Sequence, residues 1–216
     1  NENKTASNVW DTIQRPVTEE LIKGKGDIYS IQHVKEYEDT KGESYYMDYS
    51  NEVIIDNPLR EFHNYVKDKL INFVAELNQK SISILDTSIG RGGDIGKYLR
   101  LDNNISFLLG LDISSDINEA SKRFYLQHMN VKKTKAMFIQ YDTSSSIRDG
   151  EGCVGKHIER NKLLIDILYD RQKKLPKELK PLVPKFKGLG LKGFDIISSQ
   201  FTIHYYFKDE LTLRGY

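Results

Sequence analysis

The feature that most restricts what this chain can fold into is an apolar run that breaks into a glycine-rich turn and then into a helix. Ile82-Ser-Ile-Leu85-Asp86 reads as a buried strand. Thr87-Ser88-Ile89-Gly90-Arg91-Gly92-Gly93-Asp94 follows as the turn, and Ile95 to Arg100 has helical spacing. A buried strand, a turn through which backbone can approach a ligand, and a helix form the opening unit of a parallel α/β sheet. The chain then repeats the alternation. Phe107 to Asp112 is a second apolar strand, Ile117 to Met129 a second helix, Ala136 to Asp142 a third strand, and Phe194 to Phe201 a fourth. The expected fold is α/β, a parallel sheet with helices on both faces.

The segments around this frame are less regular. Residues 1–50 are polar and read as an arm or linker, with one short helix at Thr18 to Ile22. From Pro58 to Leu77, Leu59, Phe62, Val66, Leu70, Phe73, Val74 and Leu77 recur at helical spacing and predict an amphipathic helix buried through that stripe. Residues 148–193 read as a basic insertion. Its first part, Gly155 to Tyr169, is helical in pattern. Its second part carries Lys177, Lys180, Lys185, Lys187 and Lys192 against Glu178 alone, and either contacts RNA phosphates or is simply solvated. The chain carries 32 basic and 31 acidic residues, so its net charge of +1 makes no bulk case for a polyanion. Cys153 is the sole cysteine, which excludes an internal disulfide and fits a reducing intracellular compartment. No apolar run approaches the ~20 residues of a membrane-spanning helix.

Which ligand the turn takes can be narrowed by charge. A P-loop ends in Gly-Lys-Ser/Thr, and Gly92-Gly93-Asp94 does not. A dinucleotide turn needs G-x-G-x-x-G, and these glycines are out of register. Asp94 at the helix start would repel a pyrophosphate but tolerates a cationic, phosphate-free nucleoside. Asp112 ends the second strand and could accept both hydroxyls of a ribose. Asp142 ends the third, near where an adenine amino group would lie. Either carboxylate alone reads better as a helix cap. Together with the turn they favour a nucleoside pocket at the carboxyl edge of the sheet.

The fourth strand and its exit make the pattern specific. Asp86-Thr-Ser-Ile-Gly90-Arg-Gly-Gly-Asp94-Ile-Gly-Lys97-Tyr98, Leu111-Asp112-Ile113 and Phe194-Asp-Ile-Ile-Ser-Ser-Gln200-Phe-Thr-Ile-His204-Tyr205 resemble, in order, the mRNA cap guanine-N7 methyltransferases. The helix Leu59-Arg60-Glu-Phe62-His-Asn64-Tyr-Val-Lys67 is similar to the family's N-terminal helix. The leading arm, with Asn8-Val-Trp10 and Arg15-Pro-Val-Thr18, resembles the connector in capping enzymes of large DNA viruses.

The resemblance implies a class I S-adenosylmethionine-dependent methyltransferase fold over residues 51–216, cut after the fourth strand, with 1–50 an arm from a larger polypeptide. It implies S-adenosyl-L-methionine as cofactor, held by Lys67 at the methionine carboxylate, Ser88 and Gly90 at the turn, Asp112 at the ribose, Asp142 at the adenine, and Gln200 and Tyr205. Asn64 and His204 would face the capped guanine, and Arg91, Lys97 and Arg123 would track the cap phosphates. Catalysis would be positional, with no acid, base, nucleophile or metal.

The implied partners are 5′-capped RNA, the guanylyltransferase and triphosphatase domains of a capping enzyme, and a regulatory subunit, with no membrane. The implied location is a cytoplasmic viral factory or the virion, with the nucleus as the alternative. The family's later cap-contacting residues and remaining strands would lie beyond residue 216, so the segment alone is expected to lack full activity. Ser88 departs from the family glycine and disfavours positive φ, which predicts altered cofactor affinity. Two other readings stay open: a non-catalytic methyltransferase-like subunit, and a related enzyme acting on another RNA or a small molecule.

Overall fold

A computed structural model of the chain describes residues 58–77, 81–101, 105–128, 134–171 and 174–208. The arm and its expected helix at Thr18 to Ile22 lie outside these residues.

Strands β1 (Ile82–Asp86), β2 (Ile105–Asp112), β3 (Lys135–Gln140) and β4 (Ile196–Ser198) form one sheet in the order β3-β2-β1-β4. All three pairings are parallel. Building outward from β1 to one side and then returning to its other side creates a switch point between the tips of β1 and β4. Ligands of open parallel sheets bind in such crevices. This is a Rossmann-like arrangement, as the resemblance to class I S-adenosylmethionine-dependent methyltransferases implies.

Both faces of the sheet are covered. On one lie α1 (Pro58–Glu76), α2 (Ile95–Leu99) and α3 (Ile117–His128), meeting Ile84, Leu108, Ile95, Tyr98 and Ala120 in one core. On the other lie α4 (Ile158–Leu168) and the short α5 (Val183–Phe186), meeting Leu85, Phe107, Leu109, Leu111 and Ile139 in a second. Successive side chains of a strand point to opposite faces, so β2 supplies both cores. The register skips Ser106, whose hydroxyl donates to the Ile82 carbonyl at 3.0 Å, and this returns Ile105 to the first core. Gly110 lets the sheet approach the turn. A Cβ there would lie 2.7 Å from the Phe138 ring and 2.8 Å from Ile89.

Three sequence expectations change. The face that α1 buries is not the predicted stripe. Ile71 and Ala75 are buried, whereas Phe62, Val66, Leu70, Phe73 and Leu77 are exposed. The helical period was legible, but polar contacts of Asn64 and Lys67, described below, select the side facing α2. Residues 148–193 are not an insertion on a finished fold. Their helix α4 is the crossover between β3 and β4 and buries Leu164, Ile165, Ile167 and Leu168 in the second core. The fourth strand is shorter than predicted at both ends, running only from Ile196 to Ser198, and the chain beyond it includes a left-handed residue at Phe201 (φ +60°). No described helix is long and apolar enough to cross a membrane.

Candidate nucleoside site at the strand tips

The turn after β1 is fixed to the tip of β2. The Gly90 amide donates to one carboxylate oxygen of Asp112 at 2.7 Å, and the Ser114 amide donates to the other at 2.9 Å. The Ile89 amide donates to the Leu111 carbonyl at 3.0 Å. A carboxylate expected for a ribose is thus also the anchor of the turn. Left-handed backbone falls at Gly90 (φ +51°) and Gly92 (φ +79°), where glycine carries little steric cost. Gly92 is further required by space, since a Cβ would lie 2.9 Å from the Ala120 Cα. Ser88 does not have positive φ. The conformational penalty expected from serine there is therefore absent, and its hydroxyl instead accepts from Thr202 Oγ1 at 2.8 Å.

Behind the turn, a buried network joins the tips of β1 and β4. The Tyr98 phenol donates to Asp86 at 2.8 Å and lies 3.0 Å from Ser198 Oγ. The Ser88 amide donates to the other Asp86 oxygen at 3.1 Å, and the Thr87 amide to the Ser198 carbonyl at 2.9 Å. Burial pushes the Asp86 carboxyl up to about 7, despite the opposing bonds from Ser88 and Tyr98. Burial likewise raises the Tyr98 phenol.

A raised folded-state pKa means that the native protein holds a proton which the unfolded chain, titrating near ~3.9, has lost. The stabilisation is complete below that unfolded value and disappears as pH rises through about 7. Asp86→Asn mimics the protonated form. Its melting temperature relative to wild type should climb from pH 4 to about pH 7 and level off above it. A difference that stays flat across that range would contradict a buried, proton-holding Asp86.

A second polar cluster joins α1 to α2. Asp94 occupies the N-cap position of α2 but makes no side-chain capping bond. Its two oxygens instead accept from Lys67 Nζ at 2.9 Å and Lys97 Nζ at 2.7 Å, and Lys97 also donates to Asn64 at 3.0 Å. Burial opposes the Asp94 charge, but the bonds and charges of Lys97 and Lys67 outweigh it and hold the carboxyl below its ordinary range. The Lys97 side chain is 9% exposed. It therefore faces its neighbours in this cluster, not an open phosphate track. Phe201 closes the cluster, with the Lys67 ammonium 5.0 Å from its ring centre and the His63 ring 4.9 Å away.

The remaining expected residues divide into three groups. Asp142 follows β3 at the same edge and accepts from the Ser144 amide at 3.0 Å and hydroxyl at 2.7 Å, a local turn and not the helix cap weighed as the alternative. Gln200 donates to Ser198 Oγ at 3.4 Å, and so joins the β1–β4 network. His204 and Tyr205 are exposed on the 3-10 helix Ile203–Lys208, ring centres 4.0 Å apart. That helix is tied back to the sheet by a Tyr206–Thr143 hydroxyl contact, and Thr143 donates to the Thr87 carbonyl at 3.2 Å. Arg91 and Arg123 are exposed on the turn and on α3, without described partners.

The roles of Asp94, Tyr98, Ser198 and Thr202 were not foreseen. Only the spacing of Asp86 and Tyr98, one at a strand tip and the other a turn into the next helix, offered a sequence signal.

The donor set suits a nucleoside, since an acidic group ends β2 and the turn carries no P-loop lysine. The expected repulsion of a pyrophosphate by Asp94 is not upheld, because Lys67 and Lys97 outnumber it. Among the described residues no group of three His, Cys, Asp or Glu side chains could hold a metal.

Residues 22–168 match the model of the mRNA (guanine-N(7))-methyltransferase domain, a match that begins within the stretch read as an arm. The chain is 27% identical to the probable mRNA-capping enzyme of Acanthamoeba polyphaga mimivirus, over 98% of this chain and 17% of that protein. It is 29% identical to the mRNA cap guanine-N(7) methyltransferase of Candida albicans, over 72% of this chain and 29% of the relative. The corresponding enzyme of Schizosaccharomyces pombe is 28% identical over 72% of this chain and 33% of its own length. The chain therefore spans a third or less of the length of these curated relatives.

Proposed function

The chain belongs to the mRNA (guanine-N(7))-methyltransferase family, and on that premise we propose that it carries the cofactor side of a site that methylates N7 of the guanosine cap of RNA. The observation that carries this reading is the clasp between the Gly90 amide and the Asp112 carboxylate at 2.7 Å. It brings the turn and the β2 tip together at the edge where an adenosyl group would sit. The protein would work within a longer polypeptide, alongside the domains that build the cap.

S-adenosylmethionine, when bound, supplies an activated sulfonium methyl. Asp112 would receive the ribose hydroxyls, Asp142 the adenine edge, and Gly90 and Ser88 the body of the nucleoside. Gln200 and Tyr205 would border it from the β4 side. Lys67 would turn from Asp94 to the methionine carboxylate. Asn64 and His204 would hold the guanine, with Arg91 and Arg123 toward the cap phosphates. Lys97, held by Asp94 and Asn64, contributes its charge to that end of the site without leaving the cluster.

Guanine N7 has a lone pair and no proton at neutral pH, so the reaction requires no general base. What the chain must supply is alignment of N7 with the methyl carbon, and such alignment can contribute roughly 7–11 kcal/mol. The alternative of a non-catalytic subunit draws on Ser88 and on the family strands expected beyond residue 216, and the ordinary backbone at Ser88 removes the first of these.

His204→Ala in the full-length protein tests the guanine side. Methyl transfer to a GpppN-capped RNA should fall by about 100-fold, the scale of a small misplacement at the reacting centre. Affinity for S-adenosylhomocysteine should be retained. Unchanged turnover rejects the guanine-facing role, and transfer to free nucleosides in preference to capped RNA rejects the substrate.

A further inference from the structure

The most basic stretch of the chain lies far from the nucleoside site and has a built scaffold. Between residues 174 and 192 the sequence carries Lys174, Lys177, Lys180, Lys185, Lys187 and Lys192 against one acidic residue, Glu178. All six lysines are exposed.

Their backbone is anchored from below. Leu179 and Phe186 are buried in the second core, and the Phe186 ring lies 5.9 Å from that of Phe107. The Gly188 amide donates to the Ile167 carbonyl at 3.1 Å and the Gly190 amide to the Leu168 carbonyl at 3.0 Å, which seats the segment on the end of α4. Pro176, Pro181 and Pro184 restrict φ along it. The lysines are therefore displayed from a structured platform and not from a loose tail.

We infer that residues 174–192 form a second contact for RNA, a lysine platform that takes phosphates of the strand downstream of the cap. The inference rests on the reading of the protein as a cap methyltransferase. Three observations favour a polyanionic strand over other partners. Lysine is depleted at protein–protein interfaces, whose centres are apolar and aromatic, and Leu191 is the only large apolar side chain exposed among these residues. The charge is local, since the chain as a whole carries only +1. The cations are lysines, which act as point charges toward phosphate and read no sequence.

The position sets the reach. The platform sits where α4 ends and β4 begins, at the end of the sheet opposite Gly90 and Asp112. The eight residues of β2 separate the two ends by about 26 Å at ~3.3 Å per residue. A cap dinucleotide cannot touch both, whereas an RNA of several nucleotides can.

The test replaces Lys177, Lys180, Lys185 and Lys192 with Gln in the full-length protein. Binding is followed by anisotropy over a salt series, with a capped oligonucleotide, the same oligonucleotide uncapped, and the cap dinucleotide. Each phosphate contact on a single strand contributes ~0.7 to the slope of log affinity against log salt. Removing four contacts should lower that slope by about 3 for both oligonucleotides, and weaken them roughly tenfold or more at moderate salt. The KM for the cap dinucleotide should stay as in wild type.

An unchanged slope overturns the proposal, as does an equal loss on the dinucleotide. Platform-dependent binding to phosphatidylserine vesicles with RNA binding unaffected overturns it in favour of a membrane. If the wild type transfers no methyl group to any cap but the oligonucleotide slope still falls, the platform stands and the cap reading fails.

Discussion

Asp112→Ala is expected to weaken binding of S-adenosylhomocysteine by roughly 100-fold or more, measured by calorimetry in the full-length protein. Hydrogen bonds to a charged acceptor are each worth ~1.5–3 kcal/mol, and two ribose hydroxyls would lose theirs together. A loss of about 3 kcal/mol is already more than 100-fold. The structure adds a second reason for a large effect. The same two oxygens hold the Gly90 amide at 2.7 Å and the Ser114 amide at 2.9 Å. Alanine would therefore remove the proposed ribose contact and also release the Gly90 turn from the β2 tip.

Asp112→Asn keeps one acceptor oxygen and should fall between the two. A chemical unfolding curve separates loss of binding from loss of fold, since Asp112 is only partly buried at the strand tip. Equal affinity of wild type and the alanine variant would remove the ribose assignment, and with it the strongest local argument for the cofactor.

What could be read from sequence, and what could not, follows the range of the forces involved. The strands β1, β2 and β3 and the carboxylate at the β2 tip were legible because each is a local pattern: an apolar run, then a polar residue at its end. The face that α1 buries was not. Its most apolar stripe, through Phe62, Val66 and Phe73, is exposed, and the buried stripe runs through Ile71 and Ala75. That choice depends on the Lys67–Asp94 pair, 27 residues apart in sequence, which no helical period encodes.

β4 is shortened at both ends, since only Ile196 to Ser198 find partners along β1, and the left-handed Phe201 sits in a run whose composition suits a strand. In the segment 148–193, charge and prolines dominate the composition and suggest an addition. The four buried apolar residues of α4 decide its place in the fold. Ser88 marks the opposite error, in which a conformational demand borrowed from relatives proved to fall on Gly90 and Gly92 instead.

Asp94→Ala should be the most destabilising single change at the site, by about 3–5 kcal/mol, the usual loss when one member of a buried ion pair is removed. For a domain of this size that corresponds to a fall in melting temperature of order 10 °C. The reasoning is charge balance. One carboxylate faces two ammonium groups, with side-chain exposures of 11% for Asp94, 19% for Lys67 and 9% for Lys97. Alanine leaves two like charges adjacent, poorly hydrated and without their shared counter-ion.

Lys97→Met instead leaves a neutral pair and should cost much less. The double variant Asp94→Ala, Lys97→Met should recover part of the loss, because it removes the repulsion. The pH dependence has a definite sign. The Asp94 carboxyl lies below its ordinary range, so its contribution is present above the unfolded carboxylate value and is lost as pH falls through the depressed one. The gap between wild type and Asp94→Ala should therefore narrow below about pH 4.

The surplus positive charge also bears on the proposed role of Lys67, which would exchange Asp94 for an incoming carboxylate while Lys97 keeps Asp94 paired. An Asp94→Ala protein that melts with wild type at neutral pH would mean that the lysines are hydrated after all, and would remove both the stabilising role and the exchange.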